Sequence, residues 1–216
     1  MRGAQAWFDV VVDCIAFEGG HGRQDVETFF PEGGKERAGH LVVLSSDFAV
    51  SAVDRPVYVD ETYARFDTAP YGAGKRAVEE VVLGEAKRRG LPVTALRPCH
   101  IYGPGSLLGC LPRHGRDKEL LARIRRGEAL KLIGGGHFLQ HPMFVDDLCG
   151  VAFECAGREA TRGELFFVGG PEVVESRRFY QIVGEILGVE AKIEECSIAE
   201  YLKELATLSR LTRKKK

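Results

Sequence analysis

Short runs of β-branched residues that alternate with helical segments constrain the fold of this chain more than any other feature. FDVVVDCIAF at residues 8–17 and HLVVLSS at residues 40–46 each have the length of a strand buried on both faces. A helix is predicted at 24–30 between them and a longer one at 71–89, where apolar residues recur at helical spacing until Gly90. This alternation predicts an α/β fold with a mostly parallel sheet that helices cover on both faces.

The rest of the chain continues the same pattern. Strands are predicted at 93–96, 143–145 and 164–168, and helices at 118–126, 146–156, 176–187 and 198–205. Two glycine-, proline- and histidine-rich stretches, 102–115 and 134–142, predict long loops, where binding sites tend to lie. We interpret Asp146, the first of two adjacent aspartates, as a helix cap rather than a metal ligand, because consecutive residues rarely face one ion.

Composition excludes several classes of protein. A formal net charge of -1 gives no overall field that would attract nucleic acid or an anionic membrane, and the basic end at 213–216 is interpreted as a solvated terminus. The six cysteines form no C-x-x-C pair, so no zinc site is predicted. Without a signal peptide or an apolar run of about 18 residues, the chain is expected to be cytoplasmic, with reduced thiols and no membrane contact.

Tyr71 and Lys75 stand four residues apart at the start of the predicted helix 71–89, so both side chains project from one face. A free tyrosine ionises at a pKa of about 10. A nearby ammonium stabilises the phenolate and so makes proton exchange at neutral pH easier. The positive end of the helix acts in the same direction. The pair alone is a weak motif, so the surrounding sequence has to show whether it is catalytic.

Ser46 supplies part of that setting. With Ser45 it ends a buried-type strand, twenty-five residues before Tyr71. A serine at the carboxyl end of a parallel strand lies at the edge where open α/β sheets bind ligands. The alternative is that the two serines only cap a turn.

Four blocks in this order carry a resemblance to a known family. They are Ser45-Ser46, Tyr71-Gly72-Ala73-Gly74-Lys75, Arg97-Pro98-Cys99-His100-Ile101-Tyr102-Gly103-Pro104-Gly105 and Phe144-Val145-Asp146-Asp147-Leu148. Their order and spacing resemble those of extended short-chain dehydrogenases/reductases of the NAD-dependent epimerase/dehydratase kind. The resemblance implies a Rossmann-like, doubly wound parallel sheet that lacks its N-terminal strands and carries a small C-terminal substrate-binding lobe.

The resemblance also implies catalytic roles. Tyr71 would be the general acid/base that moves a proton to or from a substrate hydroxyl while hydride passes to or from the nicotinamide of NAD or NADP. Lys75 would favour ionisation of the tyrosine and hydrogen-bond the nicotinamide ribose. Ser46 would hold the reacting oxygen. Asp47 is the alternative at that position, but its charge would repel developing negative charge, so Ser46 is preferred.

Further site residues follow from the same resemblance. Those expected beside the cofactor, besides Tyr71 and Lys75, are Ile15, Ala16, Phe17, Pro98 and Cys99. Those expected to touch substrate, besides Ser46 and Asp47, are His100, Gln140 and His141. His100 replaces an asparagine that sugar-nucleotide enzymes commonly carry, and a structural role for this histidine is the alternative. No arginine between Gly134 and Asp147 is available for a diphosphate.

The implied organisation is a cofactor-binding part at 1–104, to which 145–170 returns, and a substrate lobe at 105–216. The implied partners are a small-molecule substrate, such as a nucleotide sugar, and a second copy of the chain in a homodimer. The reaction expected is an NAD(P)-dependent epimerisation, dehydration or reduction.

One family feature is missing from the sequence. Gly19, Gly20 and Gly22 follow a predicted strand, but no G-x-x-G-x-x-G turn that would begin a helix and cradle a dinucleotide is present. Three interpretations stay open: an enzyme whose sequence is shortened, a non-catalytic binding protein on the same scaffold, such as an RNA-binding one, and an inactive fragment.

Overall fold

The computed structural model describes residues 6–51, 59–109 and 117–203. The chain divides into two compact units. One contains residues up to Cys99 together with Val145–Gly169, and the other contains His100–Phe144 and the residues from Gly170 onward.

The elements follow in chain order. The strands are β1 (Val11–Asp13), β2 (Leu41–Leu44), β3 (Val93–Pro98), β4 (Ile101–Tyr102), β5 (Leu130–Ile133), β6 (Leu139–Gln140), β7 (Met143–Phe144), β8 (Leu165–Val168), β9 (Val174–Glu175) and β10 (Ile193–Cys196). The helices are α1 (Gly19–Phe29), α2 (Pro70–Arg89), α3 (Leu120–Arg125), α4 (Val145–Cys155) and α5 (Ser176–Leu187).

The first unit is built on a four-stranded parallel sheet in the order β1-β2-β3-β8. Val93 on β3 packs with Val78 and Val82 of α2 in one apolar cluster. The next residue, Thr94, points to the opposite face and donates its hydroxyl hydrogen to the carbonyl of Thr161, which follows α4. Helices therefore cover both faces, and the predicted α/β fold with a parallel sheet is confirmed.

Two predictions for the first unit need correction. Strand β1 covers only Val11–Asp13, and Val12 is 42% exposed, so this edge strand is not buried on both faces as predicted. Helix α1 begins at Gly19, not at residue 24. A Cβ on Gly22 would lie 3.1 Å from Val82 and 3.3 Å from Val78. Close packing on α2 therefore overrides the low helix propensity of glycine.

Helix α2 begins and ends where the sequence predicts. Pro70 stands in its first turn, and Gly90 ends it in the left-handed conformation with φ 69°. Between them the buried side chains Val78, Val82 and Ala86 form the stripe that packs on the sheet.

The described residues of the second unit form three two-stranded sheets, in which β5 pairs with β10, β4 with β7 and β6 with β9. Its apolar core joins α3, α5 and the β5 strand through buried side chains that include Leu120, Ile124, Leu130, Leu132 and Tyr180. The sequence predicted α3 and α5, but β5 and β10 were not predicted. The predicted loop at 134–142 is wrong in part, because Leu139–Gln140 forms a strand with Val174–Glu175.

Several predictions extend past the described residues. The predicted helix at 198–205 is present over 198–203, and its last two residues lie outside the described range. Residues 110–115 of the first predicted loop also lie outside the described range. Tyr102, at the start of that loop, belongs to β4. The basic end at 213–216 also lies outside. Within the described residues, no helix has both the length and the apolar character that crossing a membrane requires.

His40 ties the sheet to the segment after α4. The imidazole is fully buried, its Nδ1 accepts from the Gly157 N–H at 3.1 Å, and its Nε2 lies 2.9 Å from the Thr94 hydroxyl oxygen. Because Nδ1 is an acceptor, the ring proton is on Nε2, and both contacts are satisfied only by the neutral ring. Burial lowers the pKa of His40, and the charge of Arg162 acts in the same direction.

We expect His40→Asn to lower the free energy of unfolding by about 1–3 kcal/mol at pH 8, because it leaves buried polar groups unpaired. In the wild type the unfolded chain takes up the imidazole proton before the folded chain does, so the stabilisation is present above about pH 6.5 and declines below it. Melting curves from pH 8 to pH 5 test this, with the exposed His137→Asn as the control. A difference from wild type that does not change with pH would contradict it.

Candidate active site

Three turns meet at one edge of the first unit, because β1, β2 and β3 are parallel neighbours whose carboxyl ends share that edge. The turn after β1 carries Ile15, Ala16 and Phe17, the turn after β2 carries Ser46 and Asp47, and β3 ends at Pro98 followed by Cys99. The amino end of α2, with Tyr71 and Lys75, packs against two of these turns, as described below. The structure therefore brings together the predicted site residues of the first unit.

Asp13 shapes the turn after β1. Its Oδ1 accepts the backbone N–H groups of Ile15 at 2.6 Å and Ala16 at 3.1 Å. Ala16 is buried, whereas Ile15 is 76% exposed and Phe17 is 53% exposed. Two apolar side chains therefore face outward at the sheet edge where a ligand would lie.

The Lys75 ammonium is buried and held by backbone carbonyls. Nζ donates to the carbonyl oxygen of Ala16 at 2.8 Å and to that of Leu44 at 2.9 Å, and it lies 4.8 Å from the centre of the Phe17 ring. Burial lowers the pKa of Lys75, and the negative charge of Asp13 opposes this change. The ammonium is fixed where the turns after β1 and β2 meet.

Tyr71, by contrast, is exposed, and its ring lies between two other aromatic rings. The centroids of Phe17 and Phe48 are each 6.2 Å from that of Tyr71, and Phe48 meets it edge-on. About half of the Tyr71 side chain is accessible to solvent. Phe17 contacts both Tyr71 and Lys75, so the two predicted catalytic side chains share one neighbour although they differ in burial.

The glycines between Tyr71 and Lys75 allow this packing. A Cβ on Gly72 would lie within 3.0 Å of the Phe48 carbonyl oxygen, and one on Gly74 within 3.0 Å of the Phe17 carbonyl oxygen. Close backbone contact, rather than flexibility, explains glycine at both positions of YGAGK.

Ser46 is buried and caps the short 3-10 helix Asp47–Ala49. Its hydroxyl oxygen accepts the Phe48 N–H at 3.2 Å, and its hydroxyl lies 3.3 Å from Asp47 Oδ1. Turn capping, the structural alternative for the serines, thus occurs at Ser46. The assignment of Ser46 or Asp47 to substrate stays a prediction.

Ser45 belongs to a buried polar network that the sequence did not reveal. Its hydroxyl donates to Glu79 Oε1 at 2.5 Å, and Arg97 makes two hydrogen bonds to the same carboxylate, at 2.8 and 2.7 Å. Glu79 and Arg97 are each 1% exposed. The available signal was Arg97 itself, since an arginine within a strand of buried residues requires a counter-charge. This network joins α2 to the ends of β2 and β3.

Pro98 is buried at the end of β3, and the N–H of half-buried Cys99 donates to the Val168 carbonyl at 2.9 Å. This bond continues the sheet to β8, so Pro98 and Cys99 form part of the same edge. The three other predicted substrate residues belong to the second unit. The His100 ring meets Phe179 edge-on at 6.5 Å, Gln140 is buried in β6, and His141 Nε2 lies 2.6 Å from the Gly170 carbonyl oxygen.

The aspartates at the start of α4 require one correction. Helix α4 begins at Val145, so Asp146 lies inside the first turn and is not the residue that caps the helix. There its exposed negative charge still interacts favourably with the positive end of the helix dipole. No group of three or more His, Cys, Asp or Glu side chains suited to a metal ion occurs in the described part of the chain.

A dinucleotide fits the described residues only at its nicotinamide end. The half-exposed Tyr71 side chain and the exposed apolar side chains Ile15 and Phe17 offer a surface for a planar ring and its ribose. The glycines at the start of α1 form no open phosphate cradle, because Gly19 and Gly22 lie against α2, with a Cβ on Gly19 falling 3.3 Å from the Ala77 carbonyl oxygen.

The model of the NAD dependent epimerase/dehydratase family matches residues 31–169, which is more than half of the chain. The chain belongs to this family. The resemblance predicted from the four sequence blocks is therefore confirmed, and all four blocks lie within the matched range.

The chain spans only part of the length of the relatives that it matches. A trifunctional UDP-glucose 4,6-dehydratase/UDP-4-keto-6-deoxy-D-glucose 3,5-epimerase/UDP-4-keto-L-rhamnose-reductase of Arabidopsis thaliana is 26% identical over 160 residues. These residues are 73% of this chain and 23% of that protein.

Two solved structures show the fold. The dTDP-glucose 4,6-dehydratase of Bacillus anthracis, in complex with NAD, has a TM-score of 0.68 at 21% identity, and the match covers 88% of this chain and 60% of that one. The UDP-glucose 4-epimerase of Thermotoga maritima, with UDP-glucose, has a TM-score of 0.65 at 20% identity, with 88% and 65% covered. The predicted Rossmann-like fold is confirmed, and the chain spans less than two thirds of either structure.

Proposed function

We propose that this epimerase/dehydratase family chain carries the proton-transfer half of an NAD(P)-dependent epimerase, dehydratase or reductase, with a hydroxyl or carbonyl group of a nucleotide sugar as substrate. One observation carries the proposal: a half-exposed tyrosine, one helical turn from a buried ammonium, stands at the carboxyl edge of a parallel sheet. By their names, the relatives above act on UDP-glucose or dTDP-glucose. This supports a nucleotide sugar as the substrate class.

Each residue then has a chemical task. Tyr71 gives a proton to, or takes one from, the substrate oxygen, because its side chain is an accessible acid at this edge of the sheet. Lys75 contributes a fixed positive charge one helical turn from the tyrosine, and it would hydrogen-bond the nicotinamide ribose. Ser46 would orient the reacting oxygen, with Asp47 as the alternative. Bound NAD or NADP supplies or accepts the hydride.

The remaining predicted contacts complete the proposal. Ile15, Ala16, Phe17, Pro98 and Cys99 would line the nicotinamide side in a cofactor-binding part at 1–104 with 145–170. His100, near the end of the cofactor-binding part, and Gln140 and His141, in a substrate lobe at 105–216, would contact the sugar nucleotide. A cytoplasmic location and a homodimer stay predictions.

In a chain extended with the family's glycine-rich cofactor loop, we expect Tyr71→Phe to reduce turnover of UDP-glucose or dTDP-glucose by about 10²–10⁴-fold, because the proton donor is lost. Binding of NAD or NADP, measured by calorimetry, should be nearly unchanged. Tyr63→Phe is the matched control, since it removes a buried tyrosine hydroxyl of the same unit that has no hydrogen-bond partner among the described residues. Equal loss of turnover and cofactor binding in Tyr71→Phe would assign Tyr71 a structural role. Cofactor binding without turnover in the wild type would favour a binding protein.

A further inference from the structure

The turn after β1 determines where the Lys75 ammonium sits. Lys75 Nζ donates to the Ala16 carbonyl at 2.8 Å, and the Asp13 carboxylate accepts the N–H groups of Ile15 and Ala16. One carboxylate oxygen therefore fixes the two peptide units that present the Ala16 carbonyl to the ammonium. Any change in the acceptor strength or position of Asp13 reaches Lys75 through this turn.

Asp13 has an acidic neighbour on α1. The side chain of Asp25, one turn before the end of the helix, is in hydrogen-bond contact with the Asp13 carboxylate. Asp25 Oδ2 is buried, and no donor reaches it among the residues that the structure describes. Two ionised carboxylates in contact repel each other and have no hydrogen to share, so one proton between them removes both penalties.

The surroundings decide which carboxyl keeps the proton. Burial, together with the hydrogen bond to Asp13 and the negative charge of Asp13, raises the pKa of Asp25 to about 7. Burial alone would raise the pKa of Asp13 as well, but hydrogen bonds from Asp25, Ile15 and Ala16 and the charge of Lys75 lower it overall. Asp13 is therefore the anion that accepts the backbone N–H groups, and Asp25 is the acid.

Other ionisable side chains act on Asp13 and its neighbours. On α2, the charge of Lys75 lowers the pKa of Asp13, and the negative charge of Glu79 in turn favours the charged form of Lys75. Next to Asp13 in the chain, burial raises the pKa of the Cys14 thiol, with Asp13 acting in the same direction, so Cys14 is neutral near pH 7. Asp13 is thus the charge that acts directly on Asp25.

We propose that Asp25 is a positioning residue for Lys75: its protonated carboxyl donates to Asp13, and this bond holds the turn whose Ala16 carbonyl orients the ammonium. Only the catalytic meaning of Lys75 rests on the function proposed above. The proton-sharing pair and its effect on the turn are properties of the folded chain. When Asp25 loses its proton above neutral pH, the two carboxylates repel each other and the turn loosens.

The test is an NMR titration of the full chain from pH 5 to pH 8.5. We expect the backbone amide signals of Ile15 and Ala16 and the side-chain Cε signal of Lys75 to shift together, with a midpoint near pH 7. In Asp25→Asn the amide group donates permanently to Asp13, so this common transition should disappear. Glu27→Gln, an exposed change on the same helix, is the control and should keep it.

Stability provides a second measurement with a defined sign. A carboxyl with a raised folded-state pKa stabilises the fold at low pH, and the stabilisation is lost as the pH rises toward the folded-state pKa. The melting temperature of Asp25→Asn should therefore be closest to that of the wild type near pH 4, already exceed it at pH 5 and exceed it most at pH 8.

Two results would overturn the proposal. One is a wild-type chain whose Ile15 and Ala16 signals do not titrate, or titrate equally in Asp25→Asn. The other is a transition at the two amides that does not reach Lys75, which would make the pair purely structural. Neither readout requires turnover, so a chain that fails the Tyr71→Phe test but shows the common transition would refute the proposed function and leave this inference intact.

Discussion

Glu79→Gln should lower the free energy of unfolding by about 3–5 kcal/mol, because it removes the counter-charge of an arginine that has left water almost completely. Arg97 is 1% exposed, and two of its nitrogens donate to the Glu79 carboxylate. Glutamine has nearly the same shape and keeps one acceptor. The variant therefore measures the loss of the charge rather than the creation of a cavity.

The measurement is urea unfolding of the wild type and three variants. Glu32→Gln is the matched control, because Glu32 pairs with Arg88 on the surface, where such pairs contribute about 0–1 kcal/mol. The double variant Glu79→Leu with Arg97→Met should recover much of the loss, since an apolar pair leaves no buried charge unpaired. If Glu79→Gln changed the stability as little as Glu32→Gln does, the buried pair would not support the fold.

The consequence of this network extends to the proposed active site. Glu79 lies one turn after Lys75 on α2, and it binds Ser45, the neighbour of Ser46, and Arg97, the neighbour of Pro98. A single carboxylate thus fixes the distance between α2 and the ends of β2 and β3. Glu79→Gln should for this reason disturb the edge where the predicted cofactor and substrate residues meet.

The parts of the fold that local pattern determines were predictable. The buried runs of β2 and β3 and the apolar stripe of α2 repeat at the spacing of their own element, so the sequence alone indicates them. Helix α5 was predicted with the correct ends because its start and Gly188 are local signals.

The parts of the fold that depend on contacts between distant residues were not predictable from the sequence. Strands β6 and β9 are two residues long and exist only because each pairs with the other, thirty or more residues away. Helix α1 begins with glycines because its first turns pack closely against valines of α2. Local helix propensity gives no sign of such a contact. At the site, Tyr71 and Lys75 were recognisable as a motif. The partners of Lys75 are backbone carbonyls of Ala16 and Leu44, and backbone groups leave no signature in a sequence.

The amino end of α2 depends on two backbone contacts that any side chain would break. Gly72 faces the Phe48 carbonyl after β2, and Gly74 faces the Phe17 carbonyl after β1. A methyl group at either position would come within 3.0 Å of a carbonyl oxygen that belongs to rigid backbone. The helix or the turn must then shift, and overpacking of this kind typically costs about 1–3 kcal/mol.

We therefore expect Gly74→Ala to lower the free energy of unfolding by about 2–3 kcal/mol and the melting temperature by about 5–10 °C, and Gly72→Ala to act similarly. Gly84→Ala in the same helix is the control, because no atom lies within 4 Å of the added methyl group. It should stabilise the chain by about 0.5–1 kcal/mol through helix propensity alone. The opposite signs of the two changes in the free energy of unfolding distinguish the effect of close packing from that of helix propensity. Stabilisation by Gly74→Ala would mean that the helix does not approach the Phe17 carbonyl in solution, and the placement of Lys75 on the neighbouring Ala16 carbonyl would fail with it.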